Sequence, residues 1–282
     1  MTGALPGDAV AGFDGSERGA DAVRLGAVLA RTTGHRLRVV RVQPLPSEAD
    51  QRVAAERMSG ELEPVLKPLG VRAEAVPVDG GSPARVLQGL AEADDVGVLV
   101  VGSTHRAGLG RVLPGSVAER LLSGAPCPVA VAPRGYEPLE LRVIAVGYDG
   151  SAEATAALEL AAAIGKAAAA TLRVIAVRRP APTAAAAQAE AIATAGGSAD
   201  LQTRLQAAVA ALPAELRALP IIERGEPAHH LLTRAEERVD LMLLGSRGYG
   251  PVRAVLLGSV SATVVRAAPC PVLVTPRSAT GG

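Results

Sequence analysis

Gly245, Gly248, Gly258 and Ser259 follow one another as glycine, two residues, glycine, nine residues, glycine-serine, between the apolar run MLL and the segment SVSATVVRA. The run reads as a strand buried on both faces, and the segment after Gly258 as a helix. Glycines let the backbone approach a ligand closely, and the unpaired N–H groups and dipole of a first helical turn favour an anion. The chemistry these residues suit is phosphate binding, with Ser259 either the helix N-cap or a ligand to phosphate or ribose.

The pattern is written twice. LVV precedes Gly102, and Gly102, His105, Gly115 and Ser116 repeat the spacing with histidine in the place of Gly248. Ser116-Val117-Ala118-Glu119 matches the capping box S-x-x-E. His105 either fills the space that Gly248 leaves open or donates a hydrogen bond to phosphate, and it predicts weaker or altered binding in the first copy. Asp-Gly-Ser also recurs, at 14–16 and 149–151. A turn and helix N-cap explains either aspartate taken alone; pairing with the glycine loop adds a nucleotide role.

With these residues the chain resembles the universal stress protein family, whose ATP-binding members carry G-x2-G-x9-G-[ST] after the fourth strand. The second copy matches fully and the first imperfectly. The resemblance implies that Asp149 and Val177, or Asp14 and Val42, border the base and ribose. Gly245, Ser246, Gly248, Gly258, Ser259 and Val260 then hold ribose and phosphates, with Gly102, Ser103, Gly115, Ser116 and Val117 as their counterparts. It implies ATP as ligand, with Mg²⁺ as an option, in a stress-response protein that is no enzyme or at most hydrolyses ATP weakly, and whose nucleotide occupancy shapes a surface for protein partners not yet defined. The alternatives are a slow ATP hydrolase, and a scaffold that binds AMP, cyclic AMP or no nucleotide. In the family the last strands of two domains pair across a dimer, so the tandem chain resembles such a dimer made covalent, paired near Ala130 and Leu273, with room for a further homodimer.

Other chemistries find no support. There is no G-x-x-x-x-G-K-[ST], and Lys67 and Lys166, both outside the loops, are the only lysines. A phosphate cation must therefore be arginine: Arg247 and Arg253 in the second loop or Arg106 and Arg111 in the first, each equally well read as a solvated loop residue. His229 and His230 are adjacent on a helix and point apart, which disfavours a shared metal. Cys127 and Cys270 each sit inside Pro-Cys-Pro and read as small buried residues. No Ser-His-Asp order, G-x-S-x-G, H-E-x-x-H or C-x-x-C pattern assembles a nucleophile with its base, so no catalytic or metal-ligating residue is assigned.

The elements that must position these residues alternate. AVAGF, HRLRVVRV, VRAEAVPV, VGVLVVGS and PVAVAP read as five strands with helices between them, and the second half retells the order. The fold expected is α/β: two tandem doubly wound domains, 1–136 and 137–282, each a five-stranded parallel sheet of order 3-2-1-4-5 with helices on both faces. Asp14 to Asp149 and Val42 to Val177 are both offset by 135, and Gly81 to Gly225 by 144, so about nine residues are inserted between the second and third strands of the second half. The Ala-rich stretch from Pro180 to Ala211 reads as that surface excursion, and PRGYEPLEL, from Pro133 to Leu141, as the linker. The fifth strands begin and end at proline and read as edge strands.

Composition bounds the partners. Lys+Arg 29 against Asp+Glu 28 leaves no field to attract nucleic acid, and 1% aromatic residues cannot build base-stacking platforms. No apolar run reaches membrane-spanning length and the first residues do not read as a secretion signal, so no membrane partner and a cytoplasmic location are expected.

Overall fold

A computed structural model describes residues 5–45, 47–137, 140–179, 200–246 and 257–276. The first half contains β1 (Asp8–Gly12), α1 (Glu17–Thr33), β2 (Leu37–Gln43), α2 (Glu48–Leu66), β3 (Ala73–Asp79), α3 (Pro83–Leu90), β4 (Val96–Gly102), α4 (Ser116–Leu122) and β5 (Val129–Ala132). The second contains β6 (Val143–Gly147), α5 (Ala152–Ala168), β7 (Thr171–Arg178), α6 (Leu201–Ala210), β8 (Ala218–Arg224), α7 (Pro227–Ala235), β9 (Leu241–Gly245), α8 (Ser259–Val265) and β10 (Val272–Thr275).

Within each half the strands run parallel in the order 3-2-1-4-5. The two halves then join, because β10 pairs antiparallel with β5, with Leu273 opposite Ala130. The result is one ten-stranded sheet of order β3-β2-β1-β4-β5-β10-β9-β6-β7-β8. The proline-bounded fifth strands are therefore central, and β3 and β8 are the edges.

Side-chain alternation divides the core into two layers. Ala9 and Ala11 face the layer of α1, α2, α5 and α6, while Val10 faces that of α3, α4, α7 and α8. Each layer contains residues of both halves, and α1 packs against α5 across the seam. The interiors rest on aliphatic residues such as Leu25, Leu29, Ile164 and Leu172, each fully buried. Burial of each contributes on the order of 1.5–3 kcal/mol.

Two expectations need correction. The Ala-rich stretch is not an excursion throughout: from Asp200, whose carboxylate caps α6 by accepting the Thr203 N–H at 2.8 Å, it forms the counterpart of α2 and buries Leu205. Its alanines hide the spacing of Leu201, Leu205 and Val209 that makes the inward face. Residues 180–199 lie outside the described residues. The linker is also held firmly where it leaves the first half. Asp21 of α1, almost fully buried, accepts hydrogen bonds from Gly135 N–H at 2.8 Å and Tyr136 N–H at 3.0 Å, and from Arg24 at 2.9 Å. Burial nevertheless raises its carboxyl above the usual range. Cys127 and Cys270 are free and buried, and desolvation pushes their thiols up to about 11 and about 12. Among the described residues no helix is long and apolar enough to cross a membrane.

The repeat also shows where one copy fits its backbone less well. Helix α1 ends on Gly34 in the left-handed region, φ 75°, which glycine adopts freely. Its counterpart at the end of α5 is Ala169, at φ 53° and ψ 35°, where a Cβ costs roughly 1–2 kcal/mol. Part of the relief is offset by glycine's greater unfolded-state entropy. Ala169→Gly is expected to stabilise the protein by about 1 kcal/mol, read as a higher urea midpoint with unchanged slope.

Candidate functional site

In each half β1 or β6 and β4 or β9 lead to opposite faces of the sheet, leaving a crevice beyond their carboxyl ends. This is the usual ligand position in a doubly wound sheet. In the first half Asp14, Val42, Gly102, Ser103, Gly115, Ser116 and Val117 come together there, in a cavity of about 340 Å³. In the second, Asp149, Val177, Gly245, Gly258, Ser259 and Val260 line the equivalent cleft. Gly248, with Arg247 and Arg253, lies outside the described residues.

Ser246 is placed elsewhere. It is fully buried, its N–H donates to the Thr275 carbonyl at 2.9 Å, and it borders a small void with Leu121 and Cys127 at the seam between the halves. The alternation of an extended strand turns it away from the crevice that Gly245 enters. Ser103 lines the first cleft, but its hydroxyl donates to Ala132 O at 2.7 Å and accepts from Leu113 N–H at 3.2 Å, so it shapes the loop.

The glycines divide into two kinds. A Cβ at Gly102 would overlap the Arg18 carbonyl oxygen, and one at Gly245 would lie 2.6 Å from the Glu153 carbonyl carbon. These two let the first turn of α1 or α5 pass directly over the strand end. Gly115 is different. Its φ of −89° suits any residue, and a Cβ there would meet only Thr104, at 3.8 Å. Neither conformation nor packing requires glycine at that point; what a side chain would occupy is the cleft.

The helix starts also differ from expectation. The N-cap of α4 is Gly115 and that of α8 is Gly258, neither with a side-chain capping bond, so Ser116 and Ser259 are first helical residues with exposed side chains. The capping box does not form: Glu119 reaches across the seam to Arg266, at 3.4 Å. The first intrahelical bonds are Glu119 N–H to Gly115 O and Ala262 N–H to Gly258 O, so the preceding N–H groups are left for other acceptors.

The aspartates take up the turn role seen in their sequence. Asp14 Oδ1 accepts from the Ser16 N–H at 3.0 Å and from the Ser16 hydroxyl, and Ser16 caps α1. Asp149 and Ser151 repeat this, with the hydroxyl at 2.5 Å. Burial works against the charge on Asp14, but the Ser16 bonds and Arg18 outweigh it and hold the carboxyl below its usual range.

The expected loop cations do not line the first cleft. Arg106 is exposed, and Arg111 turns to the other half. Arg18 lines it instead, 3.7 Å from Asp14 and 3.5 Å from His105 Nδ1. Among the described residues the second cleft is lined by Arg179, paired with Glu226 at 3.2 Å. His105 has no left-handed backbone, so its place costs no strain. His230 stands 3.8 Å from Glu223, and His229 meets it edge-on. Among the described residues no cluster of three or more metal-ligating side chains occurs.

Sequence reading missed the roof and the inner wall. Pro83 and Leu87 of α3, Pro227 and Leu231 of α7, and Phe13 and Tyr148 after the first strands all line the clefts. The signal was available in Gly81-Ser82-Pro83 and Gly225-Glu226-Pro227, which open α3 and α7 in both copies.

Fold and clefts together define a tandem doubly wound α/β protein with one cleft at the switch point of each half. The universal stress protein family model matches residues 8–133 and again 140–276, and the chain belongs to that family. A universal stress protein of Thermus aquaticus is 35% identical over 133 residues, covering 47% of this chain and 96% of its own length. One from Mycobacterium bovis is 28% identical over 186 residues, and the chain spans only 64% of that protein's length and 64% of its own. The crystal structure of a universal stress protein from Archaeoglobus fulgidus, 23% identical, superposes with a TM-score of 0.65 over 96% of this chain and 98% of that one, a likeness of fold.

The two kinds of glycine separate in experiment. Gly102→Ala must move the α1 turn and is expected to cost several kcal/mol, in the range of other severe backbone and overpacking clashes, about 2–4 kcal/mol. Gly115→Ala meets no clash and is expected to cost only the loss of a glycine N-cap, about 0.5–1 kcal/mol. Paired urea melts check both.

Proposed function

We propose that this chain is an adenine-nucleotide-binding universal stress protein that holds ATP in its second cleft and, more weakly, in its first. It acts in stress response by presenting a surface to protein partners that depends on occupancy. The observation that carries this reading is the bare backbone at Gly115, where a side chain would fill nothing but the cleft. Gly258 starts α8 in the same way, at φ −60°. An apolar inner wall of Tyr148, Ile175, Val177 and Leu244 suits a base, and the uncapped helix start suits phosphate. Where ATP carries Mg²⁺, the ion arrives on the phosphates.

Retention rather than turnover fits the groups at the cleft edge. Asp14 has one oxygen in the Ser16 turn and the other facing Arg18, so it is committed to structure rather than poised as a base. The first cleft is the weaker because His105 and Arg18 stand together at its mouth, and a ligand must displace or share that pair. The family membership and the absence of a spanning helix among the described residues are compatible with a cytoplasmic protein.

The test is mass analysis of the small molecule released on denaturing freshly purified protein, with its stoichiometry. About one ATP per chain is expected, lost in Gly258→Val, with a second taken up at high ATP. Release of no adenine nucleotide, together with no calorimetric response to ATP, AMP or cyclic AMP, overturns the reading; steady phosphate production from ATP overturns its non-enzymatic part.

A further inference from the structure

The loop from Ser103 to Pro114 forms part of the first cleft at its base and meets the second half along its return arm, at Arg111 and Val112. Its base is closed: Ser103 bridges Pro114, Thr104 N–H donates to Leu113 O at 2.8 Å, and Leu113 N–H donates to Ser103 Oγ. Ser103, Thr104 and Gly115 line the first cleft. The return arm, Arg111 and Val112, is seated across the seam, while the turn before it stays with the first half, where Gly110 N–H donates to Arg134 O at 2.8 Å. Val112, 1% exposed, donates its N–H to Ala268 O at 2.9 Å. Arg111 donates to Ala267 O at 3.2 Å and to Glu236 at 3.1 Å.

Those acceptors are the far ends of the two helices that wall the second cleft. Ala267 and Ala268 follow α8, whose first residues Ser259 and Val260 line that cleft, and Glu236 is the C-cap of α7, which contributes Pro227 and Leu231. One guanidinium thus touches the carboxyl ends of both helices, where a cation is favoured by their dipoles. Because Val112 adjoins Leu113, which is paired with Thr104 at the pinned base, the return arm moves with the part of the loop that lines the first cleft. Helices α7 and α8 pack against each other, so displacement at one end is carried to the other as a rigid body.

We infer that Arg111 and Val112 are positioning residues for the second cleft, and that nucleotide in the first cleft alters the second through the 103–114 loop and helices α7 and α8. This rests on the reading of both clefts as nucleotide sites. The coupling is reciprocal in affinity, and couplings of this kind amount to about 5- to 150-fold. An ordinary interface contact between the halves makes no such demand: it alters the stability of the chain but not the response of one cleft to a ligand in the other.

The experiment uses the full chain carrying Gly258→Val, which fills the second cleft, so that ATP enters only the first. Ser259→Trp, at an exposed position at the cleft mouth, serves as the second blocking variant. Calorimetry with ATP counts the bound nucleotide, and hydrogen exchange is followed in residues 227–235 and 259–268. With Arg111 present, ATP is expected to change exchange there; with Arg111→Ala added, one ATP still binds and the change disappears. Unaltered exchange with one ATP bound overturns the coupling and leaves the nucleotide reading standing. No ATP bound by either blocked chain overturns the first cleft as a nucleotide site, and the coupling with it.

Discussion

The antiparallel pairing of β10 with β5 is the contact on which the rest of the architecture depends. It turns two five-stranded sheets into one of ten strands, and covers one of the two edges that each half would otherwise expose. It also fixes the layers: helices of both halves share each face, and the loop after β4 meets the helices after β8 and β9. Without it, Val112 has no Ala268 to bond and Glu119 no Arg266.

Within each half a second constraint shapes the cleft. The carboxyl end of β4 or β9 must pass beneath the first turn of α1 or α5, and only glycine at 102 and 245 allows it. That close passage brings the Asp-Gly-Ser turn beside the helix start after the loop, so the same residues close-pack the fold and wall the cleft. The motif therefore mixes two kinds of glycine that look identical in sequence: those that close-pack the fold, and Gly115, which leaves room.

Much of this was legible in the chain. Repetition gave the division into halves and the shared series of strands and helices, since the same apolar runs and turn residues recur at matching offsets. The residues at the ends of β1 and β4 could be placed because a doubly wound sheet opens its crevice there, whereas Val42 and Val177 at the ends of β2 and β7 were placed by the family resemblance. Ser246 could not, because its neighbour Gly245 shares the motif while the pleat sends the two side chains apart. In α6 it was the buried face that alanine hid, because alanine is compatible with both an inward face and a surface segment. Arg18 of α1 was not singled out in the sequence and Arg111 was, because which arginine enters the cleft depends on the path of the loop after β4, which spacing alone does not define.

The covalent joining of the halves has a consequence for how such a protein can change. In a symmetric pair of identical chains every substitution appears twice, so a residue that suits one side of the axis must also be tolerated on the other. Here each half carries its own copy. Asp21 clasps the chain leaving β5, while the corresponding position on α5 is Ala156. Arg18 stands opposite His105 where the second half has Glu153 and Gly248. The two clefts are free to diverge in lining and shape while the shared sheet keeps them in register, so that one molecule carries two unlike clefts in fixed proportion.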